Sequence, residues 1–306
     1  KRYAIWGRLV AQQPGQIGYS ISDAKAVGRF MPPVFEGTIA QTLPELAQKL
    51  GLNVDTLIHE IGAGQMEINF FHDHPLGLAD EVFFFKRTVR ETALRHDMYA
   101  TFMAKPIAGE PGSAMHIHQS ILDKVTGQNI FSRADGEPSE AFYHFIGGLQ
   151  RYIPSAMALV APYVNSYRRL ARHTSAPINI EWGHDNRTVG IRSPISPPAA
   201  RRVENRVIGA DANPYVAMSM TLACGYLGLK NKLQPKDEMK GDAYTAPYAL
   251  PRSLGEALDL LRRDKDLHDV LGAAFIKVYT ETKECEFEEF MEVISPWERE
   301  HLLLRV

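Results

Sequence analysis

The chain has 306 residues, 45% of them hydrophobic and 23% charged, with a formal net charge of −2. That supplies a large core and argues against a nucleic-acid binder, since the basic residues are scattered. No apolar run reaches the roughly 18 residues that span a bilayer. The apolar stretch of the opening "KRYAIWGRLVAQQPG" is too short for a signal peptide, and Cys224 and Cys285 lack metal-type spacing. A soluble cytoplasmic protein is therefore expected.

Residues 1–41 carry Pro14, Gly15, Gly18, Pro32 and Pro33 without a period and are expected to be irregular. "TLPELAQKLG" (42–51) has a threonine cap, a proline in its first turn and a glycine stop, and predicts a short helix. "VDTLIHE" and "QMEINFF" are β-rich runs on either side of "IGAG" and predict a hairpin. "GLADEVFFFKRTVRETALRHD" (77–97) has Val82, Phe85, Val89 and Leu94 at helical spacing. "YATFMAKP" and "SAMHIHQSI" predict strands. "EAFYHFIGGLQRYIPSAMALVAP" predicts a helix interrupted near Pro154. "APINIEWG" and "RTVGIRSP" predict a strand pair that turns at "HDN", and "ARRVENRV" another strand. "NPYVAMSMTLACGYLGLKNKL" predicts a helix capped by Asn213 with Pro214 at its first position. "SLGEALDLLRRDKDLHDVLG" and "SPWEREHLLLRV" supply further helices. Strands and helices mix without βαβ alternation, which predicts an α+β fold with an antiparallel sheet backed by helices.

Three β-segments carry the chemistry. If Ala63 and Gly64 form a two-residue turn, Glu60 faces Glu67 directly, with Asn69 on the same face. Two opposed carboxylates repel unless one is protonated or a cation lies between them. A longer turn would let them splay into solvent. In "KPIAGEPGSAMHIHQS", His116 and His118 share one strand face, while Gly109 and Gly112 allow a tight turn and close approach to a ligand. A pair of imidazoles on one face fits a metal or phosphate site, or hydrogen-bonded core histidines. In "ARRVENRV", Arg202, Glu204 and Arg206 alternate onto one face. They make either a surface ladder or a metal carboxylate bracketed by anion clamps. Arg187, Arg192, Arg168 and Arg169 add to a set of arginines suited to small anions. No Walker A pattern is present.

Taken together, "HEIGAGQMEINF", "KPIAGEPGSAMHIHQS", "NSYRRL", "APINIEWGHDNRTVGIRSP" and "ARRVENRVIGADANPYVA" resemble, in order and spacing, the glutamine synthetase superfamily. The resemblance covers about residues 52–233 and extends loosely over the helical C-terminus. It leans toward the glutamate–amine ligases, such as the gamma-glutamylpolyamine synthetases. It implies a glutamine synthetase catalytic-domain fold, with a curved antiparallel sheet flanked by helices. It also implies ATP-dependent amide formation through a γ-glutamyl phosphate, with Mg²⁺ or Mn²⁺, glutamate and an amine as partners. A homo-oligomeric ring is implied as well.

By motif, the resemblance makes Glu60 and Glu67 ligands of a first metal, and His116 and Glu204 ligands of a second. His118, Ser120 and Arg202 become nucleotide contacts, and Arg187 and Arg192 the phosphate clamp. Arg169 and Arg206 would hold the glutamate carboxylates, beside Gly112.

Departures from the family pattern shape what is expected. Ser175 stands where glutamine-forming members carry a glutamate that gathers ammonium. Pro111 replaces an asparagine before the Gly–Ser pair. Both favour a larger amine over ammonia. The family's remaining metal ligands lie on an upstream Glu-x-Glu strand, whereas residues 1–35 contain Asp23 as their only acid. Residues 1–306 are thus expected to form the catalytic domain, with 1–41 irregular or rebuilt and without the acidic strand and the small N-terminal β-rich domain. Three readings follow: a glutamate–amine ligase, an ammonia-using glutamine synthetase, or a catalytically impaired relative that serves as a binding or assembly module.

Overall fold

The computed structural model describes residues 54–62, 64–172 and 174–305. The expectations for 1–41 and for a helix over 42–51 lie outside them. The first element is a hairpin of β1 (Val54–His59) and β2 (Met66–Phe70). Its register differs from the expected one. His59 pairs with Met66 and Ile58 with Glu67, while the backbone N–H of Glu60 donates to Gln65 at 2.9 Å. The turn is therefore longer than two residues. The Gln65 side chain helps to shape it, accepting from the Gly62 N–H at 3.1 Å. The one-residue slide of each strand past its partner keeps Glu60 and Glu67 on one face, as diagonal rather than direct neighbours.

Helix α1 (Pro75–Arg95) follows with Pro75 at its start. "YATFMAKP" is not a strand. Its end is held by a side chain instead: the Asn165 amide bonds both the N–H and the carbonyl of Lys105, each at 2.9 Å. Of "SAMHIHQSI", only β3 (Ile117–Gln119) forms ladder structure.

Helix α2 (Glu140–Val160) is capped by the Ser139 hydroxyl, which accepts from the Phe142 N–H at 3.2 Å. It runs through Pro154 without the expected interruption. Burial explains this. The flanking Ile153, Ala156 and Met157 are fully buried, and each large apolar side chain removed from water contributes about 1.5–3 kcal/mol. Together they offset the roughly 3 kcal/mol a proline costs in a helix.

Next come the short α3 (Val164–Arg169), β4 (Trp182–His184), β5 (Ile191–Ser193) and β6 (Val203–Asn205). The sheet order is β3-β6-β5-β4. β6 runs antiparallel to both β3 and β5, but β4 and β5 are parallel, so the expected turn at "HDN" is corrected. The link is a side-chain-built loop. Asn186 donates to the carbonyls of Met239 and Gly241, and its oxygen accepts from Thr188. That docking carries the chain back to start β5 in the direction of β4.

Helix α4 (Pro214–Asn231) begins as expected, with the Asn213 side chain accepting from the N–H groups of Tyr215 and Val216. It crosses α2 at a glycine contact. A Cβ on Gly228 would lie 2.6 Å from the Gly148 Cα, so the two backbones touch. The expected helix over 253–272 is two helices, α5 (Leu254–Arg263) and α6 (Lys265–Leu271). Asp264 ends the first and caps the second, accepting from the Leu267 N–H. α7 (Ala273–Met291), which sequence periodicity did not reveal, and α8 (Pro296–Leu302) complete the order. The core lies between α2, α4 and one face of the four-stranded sheet, with Phe145, Ile153, Ile191, Val203 and Met220 fully buried. No helix among the described residues is long and apolar enough to cross a membrane.

Candidate active site

The other face of that sheet gathers the charged residues. His118 sits directly opposite Glu204 across β3 and β6. Glu204 is 2% exposed, and three groups converge on it. Its Oε1 lies 2.8 Å from an Arg206 nitrogen and 3.2 Å from His116 Nδ1, and its Oε2 accepts from Arg192 at 2.9 Å. Arg192 also pairs with Asp185. Burial alone would raise the Glu204 carboxyl, but attraction to His116 and His118 when these carry a proton, the charge of Arg206 and the Arg192 hydrogen bond draw it below its ordinary value. Glu204 is therefore ionised and balanced by guanidinium groups.

The two histidines are held neutral. Burial, then the charge of Arg206, pushes His116 below its ordinary value, although 31% of its side chain still meets solvent. Burial likewise lowers His118, with Glu204 opposing and Arg202 assisting. Arg202 Nε donates to His118 Nδ1 at 3.3 Å, which leaves the proton on Nε2. Ser120, exposed, continues the same alternation.

The hairpin supplies the second cluster. Burial first, then the hydrogen bond and charge of Glu60, raise the Glu67 carboxyl above its ordinary value, while Asn69 and Arg187 oppose the rise. The exposed Arg187 thus acts electrostatically on Glu67 and also on Asp185. The hairpin is docked by Gln65, which donates to the Gly112 carbonyl at 3.1 Å and to the Ser113 hydroxyl at 3.0 Å. Gly112 has no room for a side chain: a Cβ there would meet the Ala104 carbonyl at 2.5 Å and Arg169 Cγ at 2.6 Å.

Arg169 is 3% exposed, and its terminal nitrogens donate to the carbonyls of Arg206, Val207 and Ile208. It supports the segment behind Arg206 from beneath. The Nε of Arg206, by contrast, is buried with no hydrogen-bond partner among the described residues. Ser175 adopts a positive φ of 59°, and the distant Tyr244 donates its hydroxyl to the carbonyl of the next residue, Ala176, at 3.0 Å.

Motif reading missed Gln65, Lys86, Asp211 and Tyr244. A signal existed for Lys86: it lies four residues after Val82, on the helical stripe that faces inward.

No group of three or more His, Cys, Asp or Glu side chains suited to a metal occurs among the described residues. The donor types nevertheless fit hard divalent cations. Glu60 and Glu67 are mutually repelling carboxylates, and a neutral imidazole stands beside the ionised Glu204. Each set supplies two donors.

An antiparallel-dominated sheet displaying imidazole, carboxylate and guanidinium groups beneath a docked acidic hairpin agrees with what sequence comparison finds. Residues 15–302 match the family model "Glutamine synthetase, catalytic domain". The chain belongs to the glutamine synthetase family. It is 40% identical over 255 residues to the glutamine synthetase of Thermococcus kodakarensis, covering 80% of this chain and 57% of that protein. It is 39% identical over 269 residues to the gamma-glutamylputrescine synthetase of Escherichia coli, covering 87% and 56%. The solved structure of GmaS without ligand matches with a TM-score of 0.77 and 34% identity, over 86% of this chain and 62% of that one. A GmaS/ADP complex matches with the same TM-score at 32% identity, over 85% and 62%. The chain therefore spans less than two thirds of the length of these relatives.

Proposed function

We propose that this chain is the catalytic part of an ATP-dependent ligase that joins the γ-carboxylate of glutamate to an amine. A γ-carboxylate oxygen attacks the terminal phosphorus of ATP, and ADP leaves. The amine nitrogen then attacks the acyl carbon of the γ-glutamyl phosphate, phosphate departs with the C–O bonding pair, and the nitrogen loses a proton. The observation that carries this reading is the unpartnered Nε of Arg206, buried beside the saturated Glu204. An orphan buried guanidinium donor calls for an anion, and a substrate carboxylate supplies one.

Arg192 and Arg187 stand where charge accumulates on the transferred phosphoryl group and offset it. Arg202 and His118, already joined, would bind the nucleotide together with Ser120. Divalent cations held by Glu60 with Glu67, and by His116 with Glu204, would neutralise the triphosphate when bound. Gly112 gives substrate and Arg169 room by having no side chain. Arg169, fully engaged with carbonyls, acts on the glutamate site by fixing Arg206.

Ser175 and Pro111 favour an amine larger than ammonia as acceptor, since a neutral hydroxyl holds a small cation poorly and leaves space. The relative named for putrescine supports that choice. The test is turnover with glutamate, ATP and Mn²⁺ against ammonia, methylamine, ethanolamine and putrescine. A higher kcat/KM for an alkyl amine is expected; preference for ammonia would return the chain to the glutamine-forming class.

The two-donor metal sets favour one further reading, a module that binds nucleotide weakly without turnover. Calorimetry with Mn²⁺ and ATP separates the two: tight metal–nucleotide binding supports the ligase, and its absence supports the module.

A further inference from the structure

The segment that joins β6 to α4 turns its carbonyls inward onto two buried cations. Arg169 takes those of Arg206 at 2.8 Å, Val207 at 2.9 Å and Ile208 at 3.4 Å. Lys86, reaching in from α1, takes those of Ala210 at 2.6 Å and Ala212 at 2.9 Å. Asp211 lies between them in sequence. One of its oxygens accepts from the Ser166 hydroxyl at 2.6 Å, and the other is buried without a partner among the described residues. Burial raises the Asp211 carboxyl, while Ser166, Arg169 and Lys86 pull it down. The Phe102 ring lies 5.6 Å from the Lys86 ammonium and 4.9 Å from the Arg90 guanidinium, sheltering the lysine from water.

A lysine on an inward helical stripe is costly. Burial, then the charge of Arg90, lowers its pKa to about 8, and an aliphatic side chain would suit the position better on transfer energy alone. What an aliphatic cannot do is grip two carbonyls through charge-assisted hydrogen bonds. Those carbonyls belong to the segment leaving Glu204 and Arg206. The helix carrying Lys86 follows the hairpin that holds Glu60 and Glu67. A second link runs in parallel, from Gln65 to Ser113 and from the Ser113 carbonyl to the Ala210 N–H at 3.0 Å.

We infer that Lys86 and Arg169 form a two-cation clasp on residues 206–212, and that Lys86 is the positioning residue that fixes the hairpin carboxylates relative to Glu204. The metal-related half rests on the ligase reading; the clasp itself does not.

The test compares the full chain with Lys86→Met and with Leu258→Ala, a core variant on α5 that removes no hydrogen bond of the clasp, at a temperature where all three are folded. Two quantities are measured: backbone amide exchange over 207–212 and Mn²⁺ affinity by calorimetry. Lys86→Met is expected to speed exchange in that segment about tenfold or more and to weaken Mn²⁺ binding about 10–100-fold. Leu258→Ala should leave both unchanged. Unaltered exchange over 207–212 in Lys86→Met overturns the clasp. Accelerated exchange with unchanged Mn²⁺ affinity overturns the positioning role. If the unaltered chain binds no Mn²⁺, the ligase reading falls, and the exchange comparison still decides the clasp.

Discussion

The two acidic clusters of this protein are held in opposite ways. Glu204 sits in the sheet with every charge answered: two guanidinium groups and an imidazole converge on a carboxylate that meets almost no solvent. Glu60 and Glu67 sit on a short hairpin and press on one another, relieved by the Asn69 amide, which donates to Glu67 at 3.1 Å, and by the charge of Arg187. In the sheet cluster the carboxylate is answered within the chain, while the Arg206 Nε stays open to an anion. The hairpin carboxylates are not so answered, and a cation would stabilise them. Preorganised charge belongs with the rigid core, and the demand for an ion falls on the less anchored element.

Glu204→Ala would break this contrast most strongly. It strands Arg206 without its counter-charge and leaves Arg192 with Asp185 alone, and removing one member of a buried ion cluster costs about 3–5 kcal/mol. Chemical denaturation should register that loss, and turnover should vanish. Gly112→Ala comes next. The new methyl overlaps Ala104 and Arg169, so a loss of about 1–3 kcal/mol is expected from overpacking. Hairpin amides should exchange faster too, because Gln65 docks on the Gly112 carbonyl.

The hairpin sharpens the comparison through pH. The folded chain holds the Glu67 proton more tightly than the unfolded chain does. The corresponding stability is full below the ordinary carboxylate value of 4.5 and is lost as pH rises through the raised folded value. Added Mn²⁺ should therefore raise the melting temperature at pH 7 and lose its effect near pH 4. Glu67→Gln should stabilise the metal-free protein at pH 7 by at most about 1 kcal/mol, as for other partly exposed charges, and abolish the Mn²⁺ response. Arg263→Ala gives the baseline. Arg263 is exposed and lies 3.8 Å from Asp259 within one helix, so its loss should stay within about 0.5 kcal/mol in the same melts.

Much of this was legible in residue order. Alternation grouped Arg202, Glu204 and Arg206 on one face of their segment and His116 and His118 on one face of theirs, because a strand's period of two needs no tertiary information; that the two groups meet on the same side of the sheet needed the fold. Asn213 with Pro214 marked the start of α4 for the same local reason. The hairpin register was not legible, because it depends on whether Gln65 folds back onto Gly62. Nor was the parallel pairing of β4 and β5, which follows from Asn186 docking on a segment more than fifty residues away. The backbone role of Arg169 was hidden as well: its motif identifies an arginine, but only the fold reveals that three carbonyls occupy it.

The crossing of α2 and α4 has a consequence for motion. Where Gly148 and Gly228 meet, main chain rests on main chain, and no rotamer is available to absorb a small shift. Such a joint cannot yield by degrees; it stays closed or comes apart with the whole core. On the ligase reading, any gradual adjustment to a ligand falls to the other side of the sheet, where the hairpin is docked by side-chain hydrogen bonds, while the helical body serves as a fixed anvil.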